Sequence, residues 1–284
     1  MRSSSARGMA VFGLDMTSRP RAGKPIVCAV CDFDGGTLRL QTVERLTTLE
    51  QFEDFLQRPG PWVAGLDFPF GQPRKLVEDL NWPRNWEGYV ERVSRMTRPE
   101  FELALRTYWR PRAPGDKFQF RRADKAARAC SPMMLDYTPV GKMFYELAPR
   151  LMRSGVCVVP CRPNDSGRVV VEAYPGVLAR AWIDRVSYKS ESRKKQTAER
   201  LSARKTLVAM VDSREFGAHY GFVCSCGLLK EELALDPTGD TLDSFLCAVQ
   251  AAWAYTMRRK GYGMPPECDP LEGCIADPGC GTEK

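Results

Sequence analysis

Histidine is almost missing from this chain of 284 residues: His219 is the only one. No GxSxG segment accompanies it, so a Ser-His-Asp hydrolase has no nucleophile elbow, and the HYGF context reads as a local aromatic cluster. GxxxxGK[ST] and GxGxxG are also absent, which removes the usual phosphate-cradling loops of nucleotide enzymes. No apolar run is long enough to span a bilayer. The longest, over residues 245–255, is broken by Gln250, and the N-terminal MRSSSARGM has no apolar signal core. The expectation is a soluble, unsecreted cytoplasmic protein with no membrane partner.

Cysteine is not scarce, but none of the spacings among Cys224, Cys226, Cys268, Cys274 and Cys280 is a zinc knuckle. There are 11 cysteines. Cys28 and Cys31 form a CxxC pattern inside a strand-like run, where residues three apart point to opposite faces and cannot share a metal. Cys28, Cys31, Cys157 and Cys247 sit in apolar patterns and read as small hydrophobes of a reducing compartment. Cys224, Cys226, Cys268, Cys274 and Cys280 could hold zinc only if the fold gathered them.

Acidic charge is outweighed, and unevenly. The net charge is +7; residues 101–130 carry eight Lys or Arg against three acids, and residues 185–205 carry eight against two. Both stretches suit solvated helix faces, and both suit a polyanionic partner.

The apolar periodicity gives the architecture. MAVFGLD, PIVCAVCDF and TLRLQTV read as three successive strands, the last two joined by an Asp34-Gly35-Gly36 turn. Thr47 and Thr48 can cap a helix, LEQFEDFLQ, that Pro59-Gly60-Pro61 stops. WVAGLDF is the fourth strand, and a right-handed crossover places it beside the first and parallel to it. Residues 71–165 read as a proline-broken helical insertion within a single domain over residues 9–284. RVVVEAYP reads as the fifth strand, a basic helix is expected over residues 191–212, and GDTLDSFLCAVQAAWAYTMRR is an amphipathic helix packed on the sheet. The fold class is α/β: a mixed five-stranded sheet, strands 1–3 antiparallel and 4–5 parallel to strand 1, flanked by helices.

In this topology Asp15 and Asp67 end neighbouring strands and converge outside the carboxyl edge of the sheet, where open α/β sheets bind ligands. Asp240 and Asp243, three apart, share one face of the closing helix, and Glu172 ends the fifth strand. Such a set supplies the hard oxygen ligands that metal-dependent phosphoryl transfer needs. A bland reading stands beside it: Asp240 as an N-cap, Asp243 as a first-turn acid, and Asp15 and Asp67 as turn residues.

The segments GLDMTS, GLDFPFGQP, FRRADKAARACSP, PVGKMFYELAPRL, VEAYPGVLAR, the YKS at residues 188–190 and GDTLDSFLCAVQAA together resemble an uncharacterised group of predicted ribonuclease H-like nucleases. The resemblance covers nearly the whole chain. It implies a ribonuclease H-like fold, Mg²⁺ or Mn²⁺ held by Asp15, Asp67, Asp240 and Asp243 with Glu172 as a further catalytic acid, and nucleic acid, DNA or RNA, as partner. The group's charged insertion motif matches Arg121, Arg122 and Asp124, with Lys125 beside them. Where LEGCI stands, the group's pattern leads one to expect an aromatic residue.

The expected activity is therefore hydrolysis of phosphodiester bonds by a two-metal carboxylate site. Arg121, Arg122, Lys125 and Lys189 would meet phosphates, together with the 191–205 helix, and Trp109, Phe118 or Phe120 would stack bases. Two alternatives carry different chemistry. One is a non-catalytic nucleic-acid-binding protein of the same fold. The other is an actin-like kinase-type phosphotransferase, which GLDMTS suits but which needs a second phosphate loop that the chain lacks.

Overall fold

The computed structural model describes residues 8–280. The first seven residues, part of the stretch read as lacking a signal core, lie outside it, as do the last four.

Strands β1 (Met9–Asp15), β2 (Ile26–Asp34) and β3 (Thr37–Leu46) are successive antiparallel neighbours. Helix α1 (Leu49–Leu56) starts where Thr48 Oγ1 accepts the Gln51 N–H at 3.2 Å, and it buries Phe52, Phe55 and Leu56. It leads into β4 (Trp62–Leu66), parallel to β1. Then come α2 (Arg74–Asp79), α3 (Trp86–Ser94), α4 (Arg98–Trp109), α5 (Arg122–Ala127), α6 (Val140–Ser154) and β5 (Cys157–Val159). The rest comprises β6 (Arg168–Glu172), α7 (Pro175–Ile183), α8 (Ala198–Val211), α9 (Arg214–Tyr220), β7 (Val223–Ser225), α10 (Lys230–Leu235) and α11 (Asp240–Thr256).

The fold is mixed α/β, and among the described residues its sheet has seven strands in the order β5-β6-β4-β1-β2-β3-β7, not five. The two additions, β5 and β7, are edge strands of three residues each. Runs that short show no period, so nothing in the sequence separates them from the helical segments around them. The basic helix expected from residue 191 begins only at Ala198. Residues 191–197 contain no apolar side chain to pack, and Gln196 Nε2 instead donates to the Ser190 carbonyl at 3.0 Å.

Strand alternation sorts the side chains into two layers. Phe12, Leu14, Trp62, Ala64 and Leu66 share one core with Phe55 of α1 and with Leu76, Tyr89, Phe101 and Phe144 of the 71–165 helices. Val11 and Val63 face the other core, which contains Leu178 of α7, Leu207 of α8 and Phe245 of α11. Cys28 belongs to the first core and Cys31 to the second, as their spacing requires.

Gly13 and Gly65 pair in register across β1 and β4, on the face of Val11 and Val63. A β-carbon on Gly13 would stand 2.0 Å from the Ser244 carbonyl oxygen, and one on Gly65 would stand 2.3 Å from that of Cys247. The backbone of α11 therefore rests directly on the two central strands. Among the described residues no helix is long and apolar enough to cross a membrane. Cys268 and Cys274 form a disulfide, which takes both out of a zinc set and was not expected of a chain read as reduced.

Candidate active site

Asp15 is the last residue of β1, and Asp67 follows β4 directly, its N–H donating to the Leu14 carbonyl at 3.0 Å. Counting by twos from Val11 and Val63 puts both aspartates on the α11 face. Helix α11 enters over them, with Asp240 and Asp243 in its first turn.

The capping alternative for this pair does not describe what they do. Gly239, at φ +79°, occupies the N-cap position. The free N–H groups of the first turn go elsewhere: Thr241 N–H donates to Asp236 Oδ2 at 2.8 Å, and Asp240 N–H to Thr238 Oγ1 at 3.4 Å. Asp243 is fully buried. Its Oδ1 accepts the Tyr188 hydroxyl at 2.6 Å, and its Oδ2 is ion-paired with the Lys189 ammonium.

Residues 188–190 are fastened at three points. Arg204 donates to the Tyr188 carbonyl at 2.7 Å, Arg200 donates to the Lys189 carbonyl at 2.9 Å, and Ser190 N–H donates to the Pro237 carbonyl at 3.2 Å. Two arginines of α8 that were expected to face phosphates therefore hold the segment that carries Lys189.

The electrostatics mark these residues as one cluster. Burial raises the Asp15 carboxyl well above its ordinary range; Lys189 opposes this, while Asp243, Asp240 and Asp67 add to it. Burial pushes Asp67 up to about 7, again against Lys189 and helped by Asp243 and Glu172. Asp240 is raised by burial and by Asp236 and Asp243, against Lys189 and Lys24. The Lys189 ammonium resists its own desolvation because Asp243, Tyr188, Asp15 and Asp67 surround it, so its pKa rises. Four carboxylates thus share one principal cation.

Glu172 stands apart from them, because strand parity places it on the opposite face. It is in register with Leu66, whose side chain lies in the core of the 71–165 helices. There Glu172 Oε2 accepts the Phe70 N–H at 2.9 Å, and both carboxylate oxygens accept from Arg121, at 2.6 and 2.8 Å. Arg121 is 1% exposed. Its Nε and Nη2 also donate to Asp124, and Nη1 donates to the Glu272 carbonyl at 2.9 Å. With its N–H groups engaged inside the protein, Arg121 has none to offer a phosphate, and Glu172 neutralises it instead of joining the four aspartates. Arg122 and Lys125 are exposed on α5. Of the expected stacking residues, Trp109 and Phe118 pack edge to face on each other at 5.0 Å, and Phe120 is exposed. His219 lies against Trp182 and Tyr220, the aromatic cluster its context suggested.

The four aspartates offer hard oxygen donors and excess negative charge, which is the donor chemistry Mg²⁺ or Mn²⁺ takes. In the arrangement described, Lys189 engages Asp243, and no three His, Cys, Asp or Glu side chains among the described residues are gathered tightly enough to enclose an ion. A cavity of about 420 Å³ opens beside Asp67 and Lys189; Met16, Phe68, Pro69 and Met143 line it together with the charged Arg121, Asp124, Glu172 and Glu191. Tyr188 and Asp236 are the site residues that sequence reasoning passed over. Tyr188 adjoins Lys189 in the quoted YKS, and Asp236 precedes α11 by four residues, so only tertiary contacts reveal their roles.

No curated protein and no solved structure matches the chain. A family model described as "Protein of unknown function (DUF429)" matches residues 13–267, and the chain belongs to that family.

Proposed function

We propose that the protein is a ribonuclease H-like nuclease that hydrolyses phosphodiester bonds of nucleic acid with Mg²⁺ or Mn²⁺. The observation that carries this reading is the meeting of Asp15 and Asp67, from two strand ends, with Asp243 of α11 around the Lys189 ammonium, Asp240 lying beside them between Lys189 and Lys24. Helix capping, the competing use of the α11 acids, falls to Asp236 and Thr238. The strand order β3-β2-β1-β4-β6, antiparallel then parallel, is also the one expected of such a fold.

Asp15, Asp67, Asp240 and Asp243 are the residues that would hold the ion, which when bound supplies Lewis-acid polarisation of a phosphoryl oxygen and an activated water. Lys189 brings a positive charge to the same place, where it can meet a phosphate. The test is cleavage of labelled DNA and RNA in MnCl₂. Wild type should cleave, EDTA should stop it, and Asp67→Asn should lower the rate by about a hundredfold or more while remaining folded. Equal rates in wild type and Asp67→Asn would refute the assignment.

A non-catalytic nucleic-acid-binding protein is the second reading. The Lys189–Asp243 ion pair favours it, because Lys189 neutralises a candidate ligand with no metal involved. That protein would bind nucleic acid and cleave none.

A further inference from the structure

Three depressions on the surface share walls. The first, about 550 Å³, lies between α5 and the C-terminal segment and is lined by Arg122, Lys125 and Arg128. The second, about 470 Å³, runs along the end of α7 and is lined by Arg128, Arg180, Arg185 and Lys189. The third is the cavity beside Asp67, and Lys189 and Gly176 line it as well as the second. Arg128 joins the first to the second, and Lys189 joins the second to the carboxylates.

Six cations therefore line these adjoining depressions; among the described residues the only acids on the first two are Glu267 and Asp184, while Asp67, Asp124, Glu172 and Glu191 line the third. Among the described residues, none of Arg122, Lys125, Arg128, Arg180 and Arg185 has a carboxylate within ion-pairing distance, and Lys189 pairs only with Asp243. The basic residues of α4 and the loop after it differ. Arg106 pairs with Asp136, and Arg112 pairs with Asp79 and Asp116, so these two charges are neutralised within the protein.

We infer, resting on the nuclease reading above, that the substrate is a single strand of nucleic acid whose phosphates follow these six residues and whose base enters the cavity at Asp67. A cavity of that size lies within the range of about 300–1,000 Å³ typical of small-ligand sites, enough for one nucleotide. Part of its lining is charged, and the apolar part, Met16, Phe68, Pro69 and Met143, suits the face of an unstacked base. A duplex presents stacked, paired bases and cannot place one in a walled cavity without opening. A single strand bends into it freely.

The test is fluorescence anisotropy in EDTA with a short labelled oligothymidylate and with its duplex. Wild type should prefer the strand. Replacing Arg128, Arg180 and Arg185 together by Ala should weaken strand binding about tenfold or more and make the log–log salt slope shallower by about two. Replacing Arg84, Arg92 and Arg95, exposed residues that line none of the three depressions, by Ala removes the same charge off the path and should cost less than about threefold. Because Arg180 also donates to the Ala127 carbonyl, Arg128→Ala with Arg185→Ala is made as well. Both of these residues are exposed, and the pair should still weaken binding more than the control triple. Equal losses in path and control variants, or equal affinity for strand and duplex, would overturn the inference. If the wild type cleaves nucleic acid but the path variants bind as wild type does, the path is wrong and the nuclease reading survives. If the strand is bound along the path but no divalent ion supports cleavage, the reading of the reaction falls and the path stands.

Discussion

Gly13 and Gly65 face one another across β1 and β4, and the backbone of α11 fills the space that a side chain on either would need. The height of Asp243 beside Asp15 and Asp67 is thus set by two missing β-carbons. Site geometry and core packing are here the same constraint.

Gly65→Ala should accordingly lift α11 and cost about 3 kcal/mol, the upper range for overpacking a tight core. Urea unfolding should show a lower midpoint at an unchanged slope. Gly23→Ala is the control: nothing lies within 4 Å of a β-carbon there, so its stability should hold or rise slightly. A Gly65→Ala protein as stable as wild type would mean that the helix has room to spare.

The carboxylate cluster should make stability depend on pH in a stated direction. Asp67 has its pKa pushed up to about 7 by burial, so the folded state holds a proton that the unfolded chain releases near the ordinary value of 3.8. A raised folded pKa contributes stability that is fully present below about pH 4 and is lost as pH rises through about 7. Asp15 is shifted in the same sense. Asp67→Asn removes the penalty and should raise stability at pH 8 by about 2 kcal/mol, after discounting for its partial exposure, with little effect at pH 4. Thermal unfolding across pH 4–8 checks this; a difference that does not grow with pH would contradict the shift.

Much of this site could be read from the sequence because strand periodicity and chain order are local signals. Alternation along MAVFGLD and WVAGLDF fixes the faces of Asp15 and Asp67, and the β-β-β-α-β order puts their strands side by side. Glu172 could not be placed in the same way. Its face depends on the register of β6 against β4, and register is set by contacts between distant residues. Arg121 illustrates the same limit: a basic motif looks alike whether its guanidinium meets solvent or a buried carboxylate. The three-residue strands β5 and β7 carry too few residues for any period.

Arg121→Met should test the buried network directly. It leaves Glu172 and Asp124 desolvated without their cation, a change that typically costs about 3–5 kcal/mol. Adding Glu172→Gln and Asp124→Asn to the same protein should recover part of the loss, since no buried charge then lacks a partner. The salt slope of nucleic-acid binding should not change in the folded variant, because Arg121 meets no phosphate. A slope shallower by about one would place Arg121 on the nucleic acid after all.

Lys189→Met asks whether the four aspartates form a cation site. The variant leaves Asp15, Asp67, Asp240 and Asp243 without the ammonium that all four share, although the Lys189 side chain is 42% exposed and its field is partly screened. In EDTA at pH 8 the loss should be about 1 kcal/mol, smaller at pH 5, where the raised carboxyls hold protons. MnCl₂ should then stabilise the variant more than the wild type, since Asp243 is freed from its ion pair. An ion at about a hundred times its Kd adds about 2.7 kcal/mol. Differential scanning fluorimetry with and without the metal measures both terms. If Mn²⁺ shifts neither protein, these carboxylates do not bind a divalent ion, and a binding module becomes the better account of the fold.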